Sequence, residues 1–177
     1  MTVFFTADTH FGDTRILNTA KRPFKTIGAH DHALIERWQE AVGPNDEVWH
    51  LGDFAPGYSA AMVGALLDAL PGRKHLITGN NDDDVTRRHS GWTSVGAYAE
   101  LKLNEVTCVL CHYAFRTWFR MGKGSLDLHG HSHGKLKPLI RQFDVGVDLW
   151  NFQPVTVETL LASRRRKKAA VRLAAAA

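Results

Sequence analysis

The sequence predicts an α/β protein in which two sheets pack face to face between flanking helices. Three observations carry that expectation. In residues 2–78, apolar strand-like runs alternate with helical stripes, the pattern of parallel βαβ units. In residues 95–147, short strand-like runs follow one another with little helix between them. The 177 residues, 44% of them apolar, suffice for one domain with a sizeable core.

The elements follow in order. Residues 2–7 read as a buried first strand. Leu34, Ile35, Trp38, Ala41 and Val42 form one stripe and make 31–42 a helix, with Asp31 as its cap and Gly43-Pro44 as its end. Residues 47–51 form a second strand. Residues 59–70 form a second helix with Met62, Leu66, Leu67 and Leu70 inward, closed by Pro71-Gly72. Residues 74–78 are a third strand. The later strands are 95–103, 106–111, 126–130 and 140–147, and 155–162 forms a last strand-to-helix element. The folded domain is expected to span 1–161, followed by a basic, Ala-rich tail at 162–177.

Charge is divided unevenly along the chain. The net charge is +4, yet the tail carries Arg164, Arg165, Arg166, Lys167, Lys168 and Arg172 and no acid. The domain before it is therefore mildly acidic. A basic run of this kind either docks on nucleic acid or is a solvated helix end. No apolar run reaches the length of a membrane span. The N-terminus shows no signal peptide, so a cytoplasmic location is expected. Cys108 and Cys111 lie in a strand-like run, where residues three apart point to opposite faces. That spacing suits buried structural thiols and neither a disulfide nor a zinc site.

Chemistry-bearing residues cluster at the ends of the apolar runs. Asp8 and His10 are two apart, as are His131 and His133, so each pair shares one face of an extended segment. Asp53 follows Gly52 at the end of a strand, Asn80 follows Gly79, and His112 ends another. Ligands gather at the carboxyl ends of strands in open α/β sheets. Seven candidates, Asp8, His10, Asp53, Asn80, His112, His131 and His133, exceed the needs of one transition metal and suit two with a bridging carboxylate. Two such ions ~3.5–4 Å apart clamp a phosphate for in-line attack. A mixed imidazole, carboxylate and amide set suits Mn, Fe, Co, Ni or Zn better than Mg or Ca.

At these residues the chain resembles the calcineurin-like metallophosphoesterase superfamily, whose pattern is Asp-x-His, Gly-Asp, Gly-Asn-His-Asp/Glu, a lone His and Gly-His-x-His. The resemblance runs from Asp8 to His133 and on to Asp148. The phrases at 50–54 and 129–134 look like the small, stand-alone bacterial and phage members. The resemblance implies a four-layer α/β/β/α sandwich of two mixed sheets flanked by helices. It assigns Asp8, His10 and His133 to one metal, and Asn80, His112 and His131 to the other, with Asp53 bridging. It implies hydrolysis of phosphodiesters, with phosphomonoesters second, by a hydroxide that the two ions share. Manganese is the first expectation for the metal, and a small phosphoester or a nucleotide for the substrate.

Asn81 departs from the pattern. Family members place a histidine there, thought to protonate the leaving oxygen; an asparagine only donates a hydrogen bond. Asp82 matches the family acid that orients that histidine, with capping of the next helix as the alternative. Arg116 and Trp118 lie where members place a substrate-facing loop, so Arg116 is a candidate phosphate ligand or a structural ion-pair partner. Arg15 and Asn18 are weaker candidates. Asp144 and Asp148 resemble a family segment near the site. His50 is a candidate replacement acid or a core histidine, and His129 a supporting one. His30, His32, His75 and His89 read as surface or boundary residues. Two rival functions stay open: a metal-binding scaffold with weak turnover, and a nuclease that uses the basic tail.

Overall fold

A computed structural model of the chain describes residues 1–174, with the side chains of 1–164 and Arg166. Two four-stranded sheets are flanked by helices. The first sheet holds β1 (Val3–Thr6), β2 (Glu47–His50), β3 (Arg73–Ile77) and β4 (Ser94–Gly96), in that order and all parallel. The second holds β5 (Tyr98–Leu103), β6 (Val106–Cys111), β7 (Leu126–His129) and β8 (Gln142–Asp144). Only its β5–β6 pair is antiparallel. Val155 bridges antiparallel to Phe5, and Gly146 parallel to Ala7, so the chain after β8 returns to β1.

Side-chain alternation places the core. Phe5, Ala7, Trp49, Leu51 and Ile77 face Cys108, Leu110, Leu126, Leu128 and Phe143 between the sheets. Val48 and Leu76 face the other way, against α2 (Ile27–Ala41) and α3 (Ala60–Ala69). Each fully buried Leu, Ile or Phe contributes about 1.5–3 kcal/mol. Burial pushes the Cys108 thiol up to about 12, so it packs as an inert apolar group. Both cysteines are free.

Local chemistry moves several boundaries. α2 starts earlier than expected: Thr26 caps it by accepting from Ala29 N–H, and Asp31 lies one turn inside. Asp31 is buried there and accepts from Gly12 N–H and the Tyr58 hydroxyl. Ser59, expected as the first helical residue, is the cap of α3; Val63 points inward and Met62 stays 48% exposed. The i, i+3, i+4, i+7 stripe starts at Val63, one residue later. The run at 95–103 divides into β4 and β5, which belong to different sheets. The last strand shrinks to three residues, β8.

Two short helices, α1 (Ile16–Thr19) and α4 (Asp84–Arg87), follow site loops. The last helix, α5 (Val157–Ala174), crosses the 161/162 boundary and sends Val157 and Leu160 into the inter-sheet core. Arg164 lies over the Phe143 ring and donates to the carbonyls of Leu139 and Gln142. The other expectations for the tail rest mainly on Arg165, Lys167, Lys168 and Arg172, whose side chains lie outside the described ones. Among the described residues, no helix is long and apolar enough to cross a membrane.

Candidate metal centre

Because β1, β2 and β3 run parallel, their carboxyl ends share one edge of the first sheet, as those of β6 and β7 do in the second. The chain turns sharply at that edge. Asp8, His10, Asp53, His131 and His133 all have positive φ, between 46° and 63°. Such a conformation costs on the order of 1–3 kcal/mol at a non-glycine residue and persists only where surroundings enforce it. Here Asp8 N–H donates to Gly52 O at 2.9 Å and His10 N–H to Asp53 O at 3.0 Å. Gly52 and Gly79 let the loops touch. A Cβ on Gly52 would stand 2.5 Å from His112 Nδ1, and one on Gly79 2.3 Å from Asp53 Oδ1.

Five of the seven predicted ligands converge in two overlapping groups. Asp8, His10 and His133 each offer a donor atom within 4.8 Å of the others, and so do Asp8, Asp53 and His112. Asp8 belongs to both groups, and Asp53 of the second also reaches toward the first: its Oδ2 is 3.4 Å from His10 Nε2 and 3.6 Å from His112 Nε2. Asn80 Oδ1 is 3.0 Å from His112 Nε2. His131 is exposed, with its ring 5.1 Å from that of His112 and 4.8 Å from that of Tyr113. Its backbone N–H donates to Asp8 at 2.9 Å.

Ring orientation leaves lone pairs facing inward. His112 Nδ1 lies 2.8 Å from Leu51 O, so that nitrogen carries the proton and Nε2 faces Asn80 and Asp53 as an acceptor. His133 Nδ1 lies 2.7 Å from Asp148 Oδ2, with the same consequence. Burial, then the hydrogen bonds of His133 and Arg22, act on Asp148 in opposite directions; the bonds prevail and hold it at about 2. Burial likewise raises Asp53, but His10, His112 and both Asn81 N–H groups outweigh it and hold this carboxyl below the usual range. Asp8 goes the other way: burial, then Asp144, Asp53 and Asp148, push its pKa up.

These residues fit divalent cations. His10 is buried, and neither ring nitrogen has a hydrogen-bond partner; the nearest carboxylates, Asp13 and Asp53, stand 3.4 Å away. An unpartnered imidazole beside crowded buried carboxylates is costly without a cation and favourable with one. The mixed imidazole, carboxylate and amide donors match transition metals.

Asn81 donates from its backbone to Asp53 Oδ1 at 2.8 Å and from its side chain to Oδ2 at 2.7 Å. Asp82 is buried and accepts from the amides of Gly79, Asp53 and Phe54 at 2.7–2.9 Å. It ties two site loops together, and Asp83 is the cap of α4. Arg116 is exposed on the loop after His112 and makes no ion pair among the described residues, while Trp118 is buried and donates to Ser125 O. Arg15 pairs with Asp13 and lines, with Lys135, His10, Asn81 and His133, a cleft of about 280 Å³. Asn18 is exposed. Asp144 holds the 130–134 loop through Ser132 and Gly134.

His50 is a core histidine, at 2.9 Å from the Thr9 hydroxyl; burial drives it down to about 3, so it is no proton donor near neutral pH. His129 is buried, with Nδ1 2.8 Å from Gly130 O. His30, expected near the surface, is fully buried between Arg22 and Asp31. Sequence reasoning also missed Asp13 beside His10, and Arg22, which donates to Asp148 and to the carbonyls of Asp8 and Thr9. Nothing in Lys21-Arg22-Pro23 distinguishes a buried arginine from a solvated one.

Comparison with known proteins shows the family and the fold. Residues 1–148 match the calcineurin-like phosphoesterase superfamily domain. The chain is 32% identical to the Gene 66 protein of Mycobacterium phage D29, covering 84% of this chain and 89% of that one. It is 28% identical to the Gene 66 protein of Mycobacterium phage L5, covering 83% and 86% respectively. Its fold is similar to the crystal structure of the protein of unknown function AQ665 from Aquifex aeolicus, with a TM-score of 0.70 and 20% identity over 89% of this chain and 96% of that one.

Proposed function

We propose that this chain, which belongs to the calcineurin-like phosphoesterase superfamily, hydrolyses phosphodiesters in preference to monoesters, using two divalent transition-metal ions, manganese foremost. Membership of the family carries metal-dependent hydrolysis of phosphoesters. The observation that supports a paired centre is the position of Asp53 Oδ2, nearly equidistant from His10 and His112 at 3.4 and 3.6 Å.

When bound, divalent ions supply Lewis acidity toward phosphate oxygens and a nucleophilic water at neutral pH. The chain's own residues do the rest. Leu51 O and Asp148 fix the protons of His112 and His133 on Nδ1 and leave both Nε2 atoms as acceptors. Asn81 steadies Asp53 through two N–H groups. Arg15 and Lys135 line the cleft beside His10 and bring positive charge to it, which supports binding of an anionic ester. Asn81 has no titrating group, so the leaving oxygen departs without a proton from that side, and good leaving groups are favoured.

A metal-by-substrate rate matrix tests this on wild type and Asn81→His. Aryl phosphodiesters should turn over fastest, only with metal, and Asn81→His should narrow the aryl–alkyl gap by about tenfold or more. Equal rates for metal-depleted and Mn²⁺-loaded protein would overturn the mechanism. Monoesters outpacing diesters would overturn the substrate preference.

A further inference from the structure

We propose that Arg22 is the positioning residue for one half of the metal centre, formed by Asp8, His10 and His133, and makes no bond to Asn80 or His112 of the other half, which it reaches only through the shared Asp8. Its side chain is 0% exposed. All five of its N–H groups are matched. Nε donates to Asp148 Oδ1 at 2.8 Å, and Nη2 to Asp148 Oδ2 at 2.9 Å and to Asp8 O at 2.6 Å. Nη1 donates to Thr9 O at 2.9 Å and to His30 Nε2 at 2.7 Å.

Every contact on the site side shapes that half. The carbonyls of Asp8 and Thr9 lie in the turn that holds Asp8 and His10 in the left-handed conformation. Asp148 passes its orientation to His133 through the 2.7 Å bond to Nδ1. The fork geometry grips a carboxylate and two carbonyls at once, which a lysine cannot do.

Behind Arg22 stands a rigid backing. His30 accepts from it at Nε2, and its Nδ1 lies 2.7 Å from Asp31 Oδ1. Asp31 Oδ2 accepts from the Tyr58 hydroxyl at 2.8 Å and Gly12 N–H at 3.0 Å. Phe24 packs edge-on against His30 and Phe152. The other half is built differently: His112 hangs on Leu51 O, and Asp82 holds the Asp53 and Gly79 amides. None of those bonds involves Arg22.

The proposal rests on the two-ion reading, so the wild-type stoichiometry is measured first. Calorimetric Mn²⁺ titration and electron paramagnetic resonance are run on wild type, Arg22→Lys, Asp148→Asn and Asp82→Asn, each checked for folding by circular dichroism in chelator. In Arg22→Lys and Asp148→Asn one ion should bind about 10–100-fold more weakly, with the other within about twofold. The spin-coupled signal of a manganese pair should give way to that of an isolated ion. Asp82→Asn should not weaken the same ion. Asp148→Asn carries the test if Arg22→Lys does not fold. Equal weakening of both ions, or of neither, overturns the Arg22 assignment. A wild type that binds one ion overturns the two-ion reading; unchanged affinity for that ion in Arg22→Lys and Asp148→Asn then also overturns the Arg22 assignment.

Discussion

Asn81 and His50 show how single residues set the chemistry by what they touch. Asn81 stands where a proton donor is expected by family pattern, and both its backbone and side-chain amides are directed at Asp53. His50, three residues before Asp53, does not take over the donor role, because burial holds it neutral. This has a consequence for stability. The pKa of His50 falls from 6.5 to about 3 on folding. Below 6.5 the unfolded chain takes up a proton that the folded chain refuses, so stability is lost as pH falls from 6.5 toward 3. His50→Gln removes that slope. Between pH 6.5 and 5, wild type should lose about 2 kcal/mol relative to His50→Gln, read from urea midpoints in chelator. Parallel pH profiles for the two proteins would refute the burial argument.

At the scale of elements, the site depends on loops that approach one another more closely than side chains allow. Gly52 has φ +95°, and a Cβ there would lie 2.5 Å from His112 Nδ1 and 2.6 Å from Gly79. Gly52→Ala should cost roughly 1–3 kcal/mol by overpacking and weaken metal binding, measured by urea unfolding and Mn²⁺ titration. Gly28 in α2 is the control, because a Cβ there meets nothing within 4 Å. Gly28→Ala should be neutral or stabilise by up to about 1 kcal/mol and leave metal affinity unchanged. Loss of stability in both variants to the same degree would contradict the close-approach account. Elements also mark the reach of sequence reading. Periodicity located α3 but put Met62 inside in place of Val63. It missed the Thr26 cap of α2, since Ile27-Gly28-Ala29 precedes the apolar stripe. It joined β4 to β5, because the passage at Gly96 from one sheet to the other changes strand partners and not residue type.

For the whole molecule, folding gathers charges that repel one another. Asp8, Asp53, Asp144 and Asp148 approach one another at the carboxyl edges of the sheets, and burial together with the other three raises the pKa of Asp8. Arg22 offsets part of this, through Asp148. Divalent ions that bind only the folded chain should therefore stabilise it. At a metal concentration 100 times Kd the gain is about 2.7 kcal/mol for one site. For a chain of this length that corresponds to about 5–10 °C in Tm. Thermal melting with Mn²⁺ against chelator measures it, and identical Tm values would argue against a cation in this cluster.

The sequence by itself determined the α/β class, the superfamily and the order of the donor residues, because these are carried by local spacing. The spacings Asp-x-His and His-x-His are legible in the sequence, but the extended segments expected there are left-handed turns, with Asp8, His10, His131 and His133 all at positive φ; a glycine before Asp53 or Asn80 marks a close approach. Only the tertiary structure decided that Asp53 stands between His10 and His112, that Asp82 ties two loops, and that Arg22 grips Asp148, which lies 126 residues away. Those contacts join residues distant in sequence through burial and hydrogen bonding, and no local pattern encodes which buried donor meets which acceptor.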